Sequence, residues 1–152
     1  MKQTDVIIPV YRPTEKLFLL LDKLKEQTVP VNKILLVNTE QKYFDGLIVG
    51  TDFWHRYKNV EVKHISQKEF DHGNTRRRAV SDTDSPYFVM MTDDAVPADE
   101  RMLEKLLSPL WEKKAAMSYA RQLPAEDCGV IERYTRNFNY PAESLFKSGA
   151  DL

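Results

Sequence analysis

Two carboxylates stand side by side where an apolar run ends, in Tyr87-Phe-Val-Met-Met-Thr-Asp-Asp-Ala-Val-Pro-Ala-Asp99. Asp93 and Asp94 repel one another, and each raises the other's pKa. Either solvent screens the pair in a turn, or a cation neutralises it. Hard carboxylate oxygens suit Mg2+ or Mn2+, which take one or two protein carboxylates and fill the remaining shell with water and a diphosphate. At roughly 4 Å and an effective dielectric near 20, one such charge pair contributes about 4 kcal/mol before desolvation, enough to outweigh the repulsion. A second cluster, Arg76, Arg77 and Arg78, follows His72-Gly-Asn-Thr75 at an expected helix start. Exposed amides and guanidinium groups there favour an anion. Successive helical residues point about 100° apart, so only one or two of the three can face one site; the alternative is a solvated basic face. His72 is either a proton shuttle or a turn residue with local hydrogen bonds. His55 and His64 share no zinc-like spacing with Cys or Asp. The aromatic residues of Phe138-Asn-Tyr140 read as packing.

These groups need elements to position them. Asp5–Val10 reads as a first strand, with Pro9 near its end, where a missing donor is tolerated. Thr14 is placed to cap a helix whose Leu17, Leu20, Leu21 and Leu24 form one apolar stripe. Lys33–Val37 is a second strand and Val60–Ile65, by its alternation, a third. Residues 43–58 are ambiguous, read as a loop with a helix ending near Tyr57. Residues 73–83 look helical. Tyr87–Thr92 is a fourth strand, apolar throughout and of the kind covered on both faces. Asp99 can cap a helix carrying Leu103, Leu106, Leu107 and Leu110. A fifth strand is expected at Ala115–Tyr119 and a short helix near 126–137.

Strand and helix alternating at this spacing predict an open, mostly parallel α/β sheet. Such sheets bind ligands beyond the carboxyl ends of their strands. Polar groups collect there: Tyr11 and Arg12 after the first strand, Asn38, Thr39 and Glu40 after the second, Ser66 to Arg76 after the third, and Asp93 and Asp94 after the fourth.

Bulk properties narrow the field. The 152 residues suit a single domain, 1–152, with no internal repeat or linker. A net charge of -1 gives no general attraction to nucleic acid or anionic membrane. The single cysteine, Cys128, excludes an intrachain disulfide and reads as an inert thiol. No signal peptide is expected before the first strand, and the apolar runs LFLLL and ILLV are far too short to cross a bilayer. A cytoplasmic protein is expected, with a peripheral role at the inner membrane face left open because acceptors can be lipids. No GxGxxG follows the first strand and no GxxxxGK[ST] occurs, which argues against nicotinamide binding and a P-loop. Receiver domains and haloacid-type phosphatases carry their acids after the first strand, which here ends in PVY.

DVIIPVYRPTEKLFLLLDKLKEQ resembles the opening of inverting family-two glycosyltransferases, whose GT-A fold is a Rossmann-like three-layer α/β/α arrangement around an open, mostly parallel sheet. EFDHGNTRRRA, MMTDDAVPAD, YARQLPAED and NFNYP at 137–141 together are similar to its rhamnosyltransferase branch. The resemblance implies that Pro9, Val10 and Tyr11 touch the nucleotide base and that Glu40 holds base or ribose. It implies that Arg76 approaches base or diphosphate, that Asp94 binds Mg2+ or Mn2+, and that Asp93 contacts ribose or a metal-bound water. The implied reaction is inverting sugar transfer from a nucleoside-diphosphate sugar, dTDP-rhamnose favoured, to a glycan or lipid-linked acceptor. A metal would stabilise the leaving diphosphate and a carboxylate base would deprotonate the acceptor. Three departures stand out: VNTEQ where an Asp and small residues are usual, Arg77 where Asn is usual, and Asp93 where Gln is frequent. The family's base lies well after NFNYP, so no catalytic base is expected within the chain. The chain is expected to be the donor-binding half, C-terminally truncated, with an acceptor-binding half absent beyond Leu152 and with self-association through the surface this leaves. The competing readings are a catalytically inactive binding or interaction module and a nucleotidyltransferase.

Overall fold

The computed structural model describes residues 3–124 and 128–151. Four strands, β1 (Thr4–Tyr11), β2 (Lys33–Thr39), β3 (Val60–Ile65) and β4 (Tyr87–Met90), form a sheet in the order β3-β2-β1-β4. Every pairing is parallel. Helices α1 (Lys16–Lys25), α2 (Gln41–Ile48), α3 (Phe53–Arg56), α4 (His72–Val80), α5 (Met102–Trp111) and α6 (Val130–Asn139) follow in chain order, with a short 3-10 turn at Gly149–Asp151. This is the expected open α/β sheet. Two compact units divide it, Met1–Glu104 and Lys105–Leu152.

In the first unit the alternation of each strand feeds two cores. Val6, Ile8, Val10, Ile34 and Leu36 pack with Leu17, Leu20, Leu21 and Leu24 of α1, Phe44 of α2 and Phe53 of α3. Burying each of these aliphatic side chains contributes about 1.5–3 kcal/mol. On the opposite face Ile7, Leu35 and Val37 pack with Ala79 of α4. The sheet is therefore the middle of three layers. The ambiguous stretch 43–58 resolves into α2 and α3. Tyr57 anchors its end: the ring is buried, and its hydroxyl donates to Asp22 Oδ1 at 2.9 Å.

The amino end of the sheet is closed by polar contacts. Buried Asp5 accepts from Asn32 at 2.9 Å and from the Ser85 hydroxyl at 2.7 Å. The Lys33 ammonium donates to the Asp82 carbonyl at 2.8 Å. The start of α5 is tied to the end of α1, because Gln27 accepts from Leu103 N–H and donates to the Asp99 carbonyl, each at 2.9 Å.

Three expectations need correction. β4 stops at Met90 and is not covered on both faces, for Phe88 is 44% exposed. Residues 115–119 form no strand; Ala, Met and Ser offer little β preference, and no ladder partner engages them among the described residues. Thr14 does not cap α1 in the usual way: Glu15 is the capping residue, and the Thr14 hydroxyl accepts weakly from Lys16 N–H at 3.4 Å. The expected helix near 126–137 begins at Val130, and residues 125–127 lie outside the described residues. In the second unit α6 carries exposed Val130, Ile131, Tyr134 and Phe138. Among the described residues no helix is long and apolar enough to cross a membrane.

Candidate functional site

Parallel pairing puts all four carboxyl ends on one edge of the sheet. Tyr11 is registered with Thr39, and Thr39 with Ile65. β4 leaves β1 earlier, at Ile7–Met90, with Met91 N–H still donating to the Ile7 carbonyl at 2.9 Å. The chain then turns through Thr92–Ala95, closed by Ala95 N–H to the Thr92 carbonyl at 3.1 Å. Asp93 and Asp94 occupy the two middle positions of this turn.

Asp93 is half-buried and Asp94 exposed. Burial raises the Asp93 pKa above the ordinary carboxylate value, and the charge of Asp94 raises it further. Hydrogen bonds from the backbone N–H groups of Asp93 and Tyr11 oppose the shift without cancelling it. The contact with Tyr11 joins the end of β4 to the end of β1.

Backbone strain marks the same edge. Arg12 (φ 50) and Glu40 (φ 66) lie in the left-handed region, which side chains other than glycine rarely adopt. Each directly follows a strand. Glu40 is held on both sides: its N–H donates to the Ile65 carbonyl at 2.8 Å, and its Oε1 accepts from Gln67 N–H at 2.7 Å. One carboxylate oxygen thus braces the loop after β3. Val10 is buried in the core and Pro9 is half-buried within β1. Of the three residues expected at the base, Tyr11 alone presents a largely exposed side chain, 42% accessible.

Arg76 sits one turn into α4. Its start is fixed by Asp71, whose side chain accepts from Asn74 N–H at 2.6 Å, while Asp71 N–H donates to the Thr75 hydroxyl at 3.1 Å. The Arg76 guanidinium folds back to the His72 carbonyl at 2.9 Å and is half-buried, whereas Arg77 and Arg78 are exposed. His72 is the first residue of α4 and not a turn residue, and its ring leans edge-on against Phe70 at 5.0 Å.

Sequence reasoning did not single out Tyr43 or the strained backbone of Arg12. Neither carries a signal in spacing: both depend on where α2 begins relative to β1. Asn38, expected among the polar groups beyond the second strand, lies instead within β2 and is fully buried. Asn38 shares a 3.0 Å hydrogen bond with His64, and its Oδ1 has no partner among the described residues.

A metal at Asp94 would meet hard oxygen donors with a second carboxylate beside them. Among the described residues no group of three His, Cys, Asp or Glu could enclose an ion. The donor set therefore fits an ion that completes its shell with water and phosphate oxygens, as Mg2+ and Mn2+ do, and does not fit a closed protein cage.

In the second unit two of the sequence segments singled out earlier meet. Arg136 donates to Gln122 at 2.6 Å and to Glu132 at 2.9 Å, and Tyr119 stands edge-on to Tyr140 at 6.5 Å. Gln122, Glu132, Arg136 and Tyr140 line a cleft of about 350 Å³. Its arginine is already satisfied by two partners, so the strained and carboxylate-rich strand ends are the stronger candidate.

Comparison with known proteins agrees with the fold. The chain is 32% identical over 148 residues to the O-antigen chain rhamnosyltransferase RfbN of Salmonella typhimurium, covering 97% of this chain and 46% of that protein. It is 39% identical over 89 residues to the O-antigen chain rhamnosyltransferase WbaN of Salmonella anatum, covering 58% of this chain and 28% of that one. The chain thus spans less than half the length of these relatives. Among solved structures, S. aureus TarS superimposes with a TM-score of 0.61 at 17% identity, over 84% of this chain and 23% of that one. TarS 1-349 in complex with UDP-GlcNAc gives 0.60 at 16%, over 84% of this chain and 36% of that one. The likeness to TarS carries the fold alone. Membership rests on the match to the family described as Glycosyl transferase family 2, which runs from residue 5 to residue 150, from the buried start of β1 through α6: the chain belongs to that family.

Proposed function

We propose that this chain is the nucleotide-sugar-binding part of an inverting, metal-dependent glycosyltransferase, with rhamnose carried on dTDP as the favoured donor and a polysaccharide or glycolipid as acceptor. The observation that carries the reading is the gathering of Tyr11, Glu40, Asp93 and Asp94 on one edge of a parallel sheet in a chain of this family. The rhamnosyl assignment is supported by the two Salmonella relatives.

In this reading Tyr11 offers an aromatic face to the base. Glu40 keeps one carboxylate oxygen for a ribose or base donor while the other braces Gln67 N–H. Asp94 holds Mg2+ or Mn2+, with Asp93 beside it, oriented by Tyr11 N–H and placed toward ribose or a water of the ion. The ion, when bound, supplies positive charge to the leaving diphosphate. Arg76 adds a second cation toward the base or diphosphate after releasing the His72 carbonyl. The base that accepts the acceptor's proton is assigned to residues outside this chain.

Isothermal titration with dTDP, UDP and GDP, each with and without Mn2+, tests the reading. The expected result is nucleotide binding that requires the ion and is lost in Asp94→Asn. A folded chain that releases no metal-dependent heat with any of the three overturns it. A second reading, an interaction module without catalysis, is favoured by the exposed apolar side chains of α6, three-quarters accessible at Phe138. That reading expects concentration-dependent self-association in light scattering, and a strict monomer counts against it.

A further inference from the structure

Two side chains near the strand ends, Arg12 after β1 and Tyr43 in the first turn of α2, have no role in the assignments above. The Arg12 guanidinium lies 5.1 Å from the centroid of the Tyr11 ring and 5.0 Å from that of Tyr43. Its Nη2 donates to the Tyr43 hydroxyl at 3.2 Å. The two rings meet edge to face at 5.8 Å. Arg12 is exposed, and its contacts among the described residues are with these rings and with no carboxylate. Its backbone is in the left-handed region, so contacts of the side chain must help to hold it there. Tyr43 is fixed in turn by the strained end of β2, since its N–H donates to the Glu40 carbonyl at 3.1 Å.

We propose that the Arg12 guanidinium, packed against Tyr11 and held by the Tyr43 hydroxyl, adds its own flat face to the nucleobase contact given to Tyr11. Arg12 is a base-binding residue and Tyr43 the positioning residue that holds it. The inference rests on the nucleotide-sugar reading given above. Bases stack on tyrosine rings and on the flat guanidinium group alike. A platform already assembled in the free protein loses little rotamer freedom on binding, which favours affinity. An arginine serving phosphate presents its paired N–H donors to two oxygens. Here one donor nitrogen is taken by a phenol and the cation lies against two rings, an arrangement suited to a flat ligand. The same edge carries Asp93, Asp94 and Glu40, so diphosphate charge is the task of the metal and Arg76, and Arg12 is left for the base.

The test is calorimetric titration of the full chain, with Mn2+, against two probes. One is whichever of dTDP, UDP and GDP the wild type binds most tightly; the other is pyrophosphate, which has no base. Arg12→Ala weakens the nucleotide by about tenfold or more and leaves pyrophosphate unchanged. Arg12→Lys, which keeps the charge and loses the plane, behaves like Arg12→Ala. Tyr43→Phe, which keeps the ring and loses the hydroxyl, falls between wild type and Arg12→Ala. Arg12→Asn, a residue tolerant of the left-handed backbone, repeats the Arg12→Ala result without added strain. Equal losses for nucleotide and pyrophosphate assign Arg12 to the diphosphate and overturn the inference. Nucleotide affinity unchanged in Arg12→Ala overturns it alone, whereas a wild type that binds no nucleotide overturns the donor reading and this inference together.

Discussion

Asp5 shows how one residue can secure the amino end of the sheet, opposite the candidate site. It is fully buried, and burial by itself would raise its pKa. Hydrogen bonds from Asn32, Ser85 and the backbone of Asp84 and Ser85 outweigh that and leave the pKa below 3.8. A carboxyl lowered in the folded state contributes stability that is present above its unfolded pKa and is lost as pH falls through the folded value. Asp5→Ala should therefore cost about 3 kcal/mol at pH 7, because it also strands the Asn32 and Ser85 donors. The variant should also show a shallower loss of stability on acidification below pH 3.8. Urea denaturation at pH 7 and across the acid range checks both. Asp93 is the reverse case. Its pKa is raised, chiefly by burial, so its ionisation near neutral pH opposes folding, and in the proposed reading a bound cation would relieve that cost.

At the scale of elements, α1 was legible because a four-leucine stripe at helical spacing can bury only one way, and all four leucines are buried. β3 was legible from its alternation. The stretch 43–58 was not: α2 and α3 are short, and Phe44 and Phe53 are placed by their edge-to-face contact at 5.4 Å, which joins residues from different helices. β4 misled because an apolar run reports composition and not coverage. The end of α5 carries a feature that invites a test. Lys113 adopts φ 57, with Lys113 N–H donating to Leu110 and Lys114 N–H to Pro109, the paired bonds of a Schellman closure. Glycine is the preferred residue there, so Lys113→Gly should stabilise the protein by about 1 kcal/mol, visible as a higher melting temperature in calorimetry.

For the whole molecule, protection should follow the division into two units. β1 is flanked by ladders on both sides and β2 likewise, and their side chains fill both cores. α6 has no buried residue. Hydrogen exchange should therefore find the slowest amides in β1 and β2 and much faster exchange throughout α6. Slow exchange in α6 in dilute solution would show that its apolar side chains are covered, as the self-association reading requires. Nucleotide and Mn2+ together should slow exchange at residues 11–12, 40–43 and 92–95, because those segments form the proposed site.

The four strands, the helices α1, α4 and α5 between and after them, and the polar character of every carboxyl end were determined by sequence alone. Periods of 2 and 3.6 residues are local, and a local pattern survives without knowledge of the fold. Only the tertiary structure decided which of those polar groups meet. Tyr11 N–H reaches Asp93, Glu40 braces Gln67, and Arg12 lies between two tyrosines because β1 is central and its neighbours are β2 and β4. Strand order and register arise from long-range packing of the two cores, and no stretch of a dozen residues contains that information.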